Sequence, residues 1–293
     1  MRDFIIATAS TCDIDRPWLD EHDIPLISYT FEVNDKVYVD DCRQETRSAL
    51  YKEMREGHAP NTSQITTYSY YEFFKKLLQS GKPVLFMDMD KELSASFFNC
   101  ERAAEQIKED MPDSKLYVMD TRCVTMGLSL LLMKCVEMAD NGKSFEEVID
   151  WAEAHKLRIS HRFMVDDLEW LRRGGRLSNA SAVIGSLLSI KPLIYIDDAG
   201  KLLAYNKIRG RKKAIHELLN SVDHDIGDAT GKDIIVGHSD TPEEGEKWKQ
   251  MVMEKYPTAR SVSLMELGPV IGCHVGPGFL SIVYLSENTT RKP

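Results

Sequence analysis

One pattern recurs three times in the first half of the chain and limits its fold more than any other feature. A short apolar run leads into a loop of hydroxyls or acids and then into a helix-forming stretch. Asp3-Phe4-Ile5-Ile6-Ala7-Thr8 precedes Ser10-Thr11-Cys12-Asp13, a loop suited to capping a helix. Pro83-Val84-Leu85-Phe86-Met87-Asp88 precedes Leu93-Ser94-Ala95-Ser96 and then an Ala/Glu/Gln/Lys-rich segment from Cys100 to Asp110. Lys115-Leu116-Tyr117-Val118-Met119-Asp120-Thr121 precedes a long apolar helix, Met126 to Ala139. Short apolar runs bounded by such loops read as buried strands. Strands alternating with helices imply a parallel sheet, whose ligands bind at the loops leaving the carboxyl ends of the strands.

The pattern changes after Asn141-Gly142-Lys143-Ser144 and the helix Phe145 to His155. An Arg/Gly-rich turn, Arg172-Arg173-Gly174-Gly175-Arg176, leads to a mostly apolar stretch, Ala180 to Leu188. A hairpin follows, Leu193-Ile194-Tyr195-Ile196 returning through Asp197-Asp198-Ala199-Gly200 to Leu202-Leu203-Ala204-Tyr205. Further strands are expected at 233–238, 261–264 and 280–285, with a helix from Pro242 to Tyr256. A length of 293 residues suits two domains, with the division expected at 1–155 and 156–293.

Charge and composition narrow the function. The formal net charge is −9 and the pI about 5.5, which argues against broad attraction to nucleic acid or anionic lipid. No apolar run approaches a membrane span, and Met1-Arg2-Asp3-Phe4-Ile5-Ile6 lacks the apolar core of a signal peptide, so a cytoplasmic protein is expected. Six cysteines form no CxxC pair, the histidines are scattered, and HExxH and calcium-loop patterns are missing, so no metal and no cofactor are expected. GxxxxGK[ST], GxGxxG after a strand and GxSxG are also missing.

Taken singly, Asn61-Thr62-Ser63-Gln64 reads as a cap or turn, Leu93-Ser94-Ala95-Ser96 as a loop, and the two basic runs near Arg172 and Arg209 as solvated faces. His274, within Gly272-Cys273-His274-Val275-Gly276-Pro277-Gly278, reads as a core or turn histidine. Their order and spacing say more. With Lys207-Ile208-Arg209-Gly210-Arg211-Lys212-Lys213-Ala214 and the Thr8-Ala9-Ser10-Thr11 loop, they resemble the motif set of the DegV family over nearly the whole chain.

That resemblance implies an α/β, two-domain fold: an N-terminal parallel sheet flanked by helices, and a C-terminal mixed or antiparallel sheet with helices. It also implies a long-chain fatty acid held in a tunnel between the domains. Thr62, Ser94 and His274 correspond to the residues that bind the carboxylate. Arg176 supports the histidine and the head group, with Ser63, Gln64 and Ser96 beside them. Some members serve as the acyl-binding partner of an ATP-dependent fatty acid kinase, for which Arg209 would be a contact; catalysis would then lie in the kinase. The chain departs from the family pattern at Ala9, where an aspartate is usual, and at Leu93-Ser94-Ala95-Ser96-Phe97-Phe98, where the family has LSGTYQ.

The residue types suit the task. A carboxylate inside a protein needs several donors around it, and two hydroxyls and an imidazole supply them. The imidazole's charge state is expected to tune affinity near neutral pH. The acyl tail contributes more, at about 0.8 kcal/mol per methylene and on the order of 11 kcal/mol for ~14 methylenes before association costs. Ala180 to Leu188 and Phe97-Phe98 are candidates for the tunnel lining, whereas the Met-rich helix from Met126 is expected to be core. Two other readings stay open: a serine hydrolase or acyltransferase using Ser94 or Ser96 with His274, and a lipid sensor without a kinase.

Overall fold

The three apolar runs of the first half pair with one another. In the computed structural model, which describes residues 2–176 and 190–292, they form a four-stranded sheet in the order Leu26–Ile27, Ile5–Ala9, Val84–Asp88, Leu116–Asp120, every pair parallel. Val84–Asp88 is buried at all its positions, as a central parallel strand covered on both faces must be. The helix Ser96–Asp110 starts one turn before the expected Cys100, and Ser10–Cys12 forms a 3-10 turn instead of capping an α-helix. Phe145–His155 begins at a capping box, where Ser144 accepts from the Glu147 N–H and the Glu147 carboxylate accepts from the Ser144 N–H.

A six-stranded mixed sheet follows, in the order Leu202–Arg209, Ile190–Ile196, Ile159–Met164, Leu280–Leu285, Asp233–His238, Ser261–Glu266. Only the last pair is parallel. The expected hairpin is present, with both arms longer than the apolar runs suggested. Strand alternation divides its side chains between two cores. Phe163, Ile194, Ile235 and Val283 join the core that also contains Ile6 and Leu85 of the parallel sheet. Met164, Leu193, Ile282 and Tyr284 face the opposite way, against the helices Arg211–Ser221 and Pro242–Lys255.

The helix Met126–Asp140 lies between the two sheets. It touches Val84–Asp88 on one side and Ile159–Met164, Asp233–His238 and Leu280–Leu285 on the other. Ten of its residues are buried, which explains a sequence apolar around most of the helix and agrees with its expected core role.

A three-stranded antiparallel sheet, Lys36–Val39, Thr30–Val33, Asn61–Ser63, packs with the helix Gln44–Arg55 in a smaller third core of Phe31, Val33, Leu50, Tyr51 and Met54, while the helix Thr67–Leu78 packs on the first core. The expected lining segment Ala180 to Leu188, and Leu177-Ser178 of the Arg/Gly motif, lie outside the described residues. Among the described residues, no helix is long and apolar enough to cross a membrane.

Candidate functional site

The loops leaving Val84–Asp88 and Leu116–Asp120 face the mixed sheet across a cavity of about 240 Å³. Met89, Leu93, Ser94, Val124 and Thr125 reach it from those loops, and Phe163, Ile196, Leu202 and Val283 from the mixed sheet. This is the carboxyl edge of the parallel sheet, where such a fold places its ligands.

Thr62, Ser63, Gln64, Ser94, Arg176 and His274 all line this cavity. Thr62 sits on the three-residue strand Asn61–Ser63, held in register opposite Phe31. His274 stands on the helix Pro269–Val275, whose first residue is a proline suited to a helix start. The Thr62 Oγ1 and His274 Nε2 are 2.9 Å apart. The His274 Nδ1 is buried and has no hydrogen-bond partner. It lies over Gly174, where a Cβ would come within 2.2 Å of it. Gly174 therefore makes the space for the imidazole.

Arg176 donates from Nε to the Leu93 carbonyl at 3.0 Å and from a terminal nitrogen to the Gly174 carbonyl at 2.6 Å. Among the described residues it makes no ion pair with a carboxylate. A half-buried guanidinium held by carbonyls in a largely apolar cavity leaves an unneutralised positive charge there, which favours an anion. Its charge and, first, burial push the His274 pKa down to about 4. Without an anion beside it, the imidazole is thus neutral near pH 7.

Ser94 Oγ accepts the Ser96 N–H at 3.3 Å and lies 3.5 Å from the Tyr29 hydroxyl. Burial first, and the Asp88 carboxylate second, push the Tyr29 phenol far above its ordinary value, so it remains a proton donor. Tyr29 lines the cavity but falls in no motif of the sequence. Its place is fixed by long-range packing and by its N–H donating to Ser10 Oγ at 3.1 Å.

Of the expected residues, Ser96, Phe97 and Phe98 do not line the cavity; Phe97 packs in the first core and Phe98 is exposed. Ser96 is buried, and its hydroxyl accepts the Ile65 N–H at 3.1 Å, so it holds the end of the Thr62 loop from behind. Arg209 is exposed at the end of the strand Leu202–Arg209. Cys273 turns away from its neighbour His274 and packs with Phe31, Leu50 and Tyr51, so the two side chains do not act as a pair. Glu53, Glu56 and His58 bring their ligand atoms within 4.8 Å of one another, a local grouping the scattered histidines did not suggest; none of the three lines the cavity.

A family model described as an uncharacterised protein of the DegV family matches residues 3–287. A DegV domain-containing protein of Clostridium perfringens is 34% identical over 294 residues, covering 100% of both chains. Among solved structures, a DegV family protein from Thermus thermophilus, described by its fatty acid binding, is 26% identical with a TM-score of 0.87, over 98% of this chain and 100% of that one. The Streptococcus pneumoniae fatty acid kinase B3 protein, loaded with linoleic acid, superposes with a TM-score of 0.82 over 96% and 99% of the two chains; at 22% identity that likeness is one of fold. With its α/β architecture and a family match over almost its whole length, the chain belongs to the DegV family.

Proposed function

We propose that this protein binds one long-chain fatty acid in the cavity between its two sheets, with the carboxylate at Thr62, Ser94, Arg176 and His274. The observation that carries this reading is the charge arrangement of the cavity. An apolar wall meets one guanidinium without a carboxylate partner beside two hydroxyls and a neutral imidazole. The carboxylate supplies the missing charge, and the acyl chain covers the apolar wall. The fatty acid binding described for the Thermus thermophilus relative supports the same ligand class.

In this reading the chain divides into domains at 1–155 and 156–293, with the acyl chain between them, and serves as a carrier rather than a catalyst. Ser94 bonds to the Ser96 N–H and approaches Tyr29, while His274 turns to Thr62. A serine hydrolase would need the serine hydrogen-bonded to its base. The carrier presents its carboxylate to an ATP-dependent kinase that makes the acyl phosphate, with the exposed Arg209 as a contact.

Native and denaturing mass spectrometry of the purified protein tests the carrier reading. Denaturation is expected to release an intact fatty acid, depleted in Thr62→Ala, Ser94→Ala and His274→Ala. A protein that carries no fatty acid and takes up none when it is added would overturn it. For the kinase step, Arg209→Ala is expected to slow acyl-phosphate formation while leaving the lipid content unchanged.

A further inference from the structure

The face of the mixed sheet that looks into the first core is apolar at most positions, among them Phe163, Ile194, Ile235 and Val283. Two polar residues of this face line the cavity. His161 is paired with Val283 and Ser281 with Phe163 across adjacent antiparallel strands. His161 and Ser281 are therefore diagonal neighbours on one face, roughly 7–8 Å apart at the backbone. Both line the cavity, and they are 4% and 3% exposed.

Neither polar group is satisfied within the protein. His161 Nδ1 lies 3.1 Å from the Ile159 carbonyl, so that nitrogen carries the proton and donates it. Nε2 is then a bare acceptor; it makes no hydrogen bond of ordinary geometry, and the Val124 backbone is the other protein group that interacts with this imidazole. The Ser281 hydroxyl has no hydrogen-bond partner. Space for the imidazole comes from Gly127, where a Cβ would lie 1.8 Å from Nε2. Arg162, between His161 and Phe163, points to the opposite face, where its Nε donates to the Tyr284 hydroxyl and its Nη2 pairs with the Asp225 carboxylate, while its Nη1 has no partner. The orphaned atoms of His161 and Ser281 thus belong to the cavity and not to the buried network behind the sheet.

An orphaned buried polar atom is costly, and apolar residues at these two positions would match their neighbours. The pair makes chemical sense with a ligand group that gives a proton to Nε2 and takes one from Ser281. An aliphatic hydroxyl does both. A ketone offers Nε2 no proton, and a carbon–carbon double bond satisfies neither residue. We propose that His161 and Ser281 form a second polar station in the cavity, and that the ligands it selects are long-chain fatty acids bearing a hydroxyl along the chain. This rests on the fatty-acid reading above and adds a determinant of which fatty acid is held.

The test is competitive binding to delipidated protein with stearic acid and a panel of positional isomers of hydroxystearic acid. At least one isomer is expected to bind as tightly as stearic acid or more tightly, although its hydroxyl must leave water. Ser281→Ala and His161→Phe are each expected to reduce that preference about tenfold, with stearic acid still binding. If every isomer binds more weakly than stearic acid in the wild-type protein, and by the same factor in Ser281→Ala, the station does not exist and the two residues merely hold water. The wild-type panel decides this even if a variant fails to fold. Failure of stearic acid and all isomers to bind would instead remove the carrier reading, and this inference with it.

Discussion

Thr62 and His274 are 212 residues apart in the chain, yet their side chains meet at 2.9 Å. One stands on an edge strand of the small sheet and the other on a short helix near the end of the chain. The contact exists only when both have docked, so it reports on the assembled cavity. It also orients the imidazole toward the same space as the Arg176 guanidinium, whose charge, after burial, keeps it neutral.

The neutral imidazole gives the first prediction. An unfolded histidine titrates near 6.5, whereas folded His274 titrates at about 4. The unfolded state then binds more protons between these values, so the group's contribution is fully present above about pH 6.5 and is lost as pH falls toward 4. The loss amounts to at most about 3 kcal/mol. Asp40, Asp88 and Asp90, pushed by burial to about 7, 6 and 6, act with the opposite sign over an overlapping range. The comparison must therefore be between wild type and His274→Gln. Urea midpoints of the lipid-free proteins at pH 7 and pH 4.5 are expected to fall further in the wild type. Equal falls would show that His274 does not titrate in this window.

Gly174 supplies the second. Its φ of −70° suits any residue, so Gly174→Ala introduces no backbone strain and only places a methyl where Nδ1 now sits, 2.2 Å away. The imidazole must move and its contact with Thr62 must break. We expect about 1–3 kcal/mol of destabilisation and reduced fatty acid content, read by thermal melting and by mass spectrometry of the extracted lipid. Gly175→Ala is the control. Its φ of +69° makes the substitution strained, but a Cβ there meets nothing within 4 Å, so stability should fall while lipid content holds.

A third prediction concerns the back of the mixed sheet. Arg162 is 1% exposed, its Nε donates to the Tyr284 hydroxyl at 3.0 Å, and its guanidinium lies 3.1 Å from the Asp225 carboxylate. Tyr284 also donates to Asp225. Arg162→Met strands a buried carboxylate and is expected to cost about 3–5 kcal/mol, whereas the double variant Arg162→Met with Asp225→Leu should recover much of that loss. Chemical denaturation of the two variants distinguishes the outcomes. A double variant no more stable than the single one would mean that Asp225 is not the group left uncompensated.

The same residues explain what could be read from the sequence and what could not. The buried strands Ile5–Ala9 and Val84–Asp88 and the helices Met126–Asp140 and Phe145–His155 announce themselves because apolar runs and capping residues are local signals. The strand Ile159–Met164 is central in its sheet but reads Ile-Ser-His-Arg-Phe-Met. Its Arg162 is buried only because Asp225, remote in sequence, meets it. Asn61–Ser63 reads as a turn and becomes a strand only by pairing with Thr30–Val33. Thr62, Ser94, Arg176 and His274 could be grouped through the ordered motifs, since none of them signals a site alone. Tyr29 belongs to no motif, and long-range packing alone brings it to the cavity.

Tyr29 accordingly gives the last prediction. Its hydroxyl lies 3.5 Å from Ser94 Oγ, and its raised pKa keeps the proton on the phenol at any physiological pH. A carboxylate arriving at Ser94 would draw that proton into the same hydrogen-bond chain, so the two hydroxyls should act together. Tyr29→Phe removes one oxygen and keeps the ring in the core, and it is expected to weaken fatty acid binding roughly fivefold, or about 1 kcal/mol. Ser94→Ala should weaken it by at least as much. Because each hydroxyl orients the other, the double variant should lose less than the sum of the two, a coupling that displacement of a fluorescent fatty acid from all four proteins measures directly. Additive losses would mean that Tyr29 acts on the ligand independently of Ser94, and no loss in Tyr29→Phe would place its hydroxyl outside the carboxylate site.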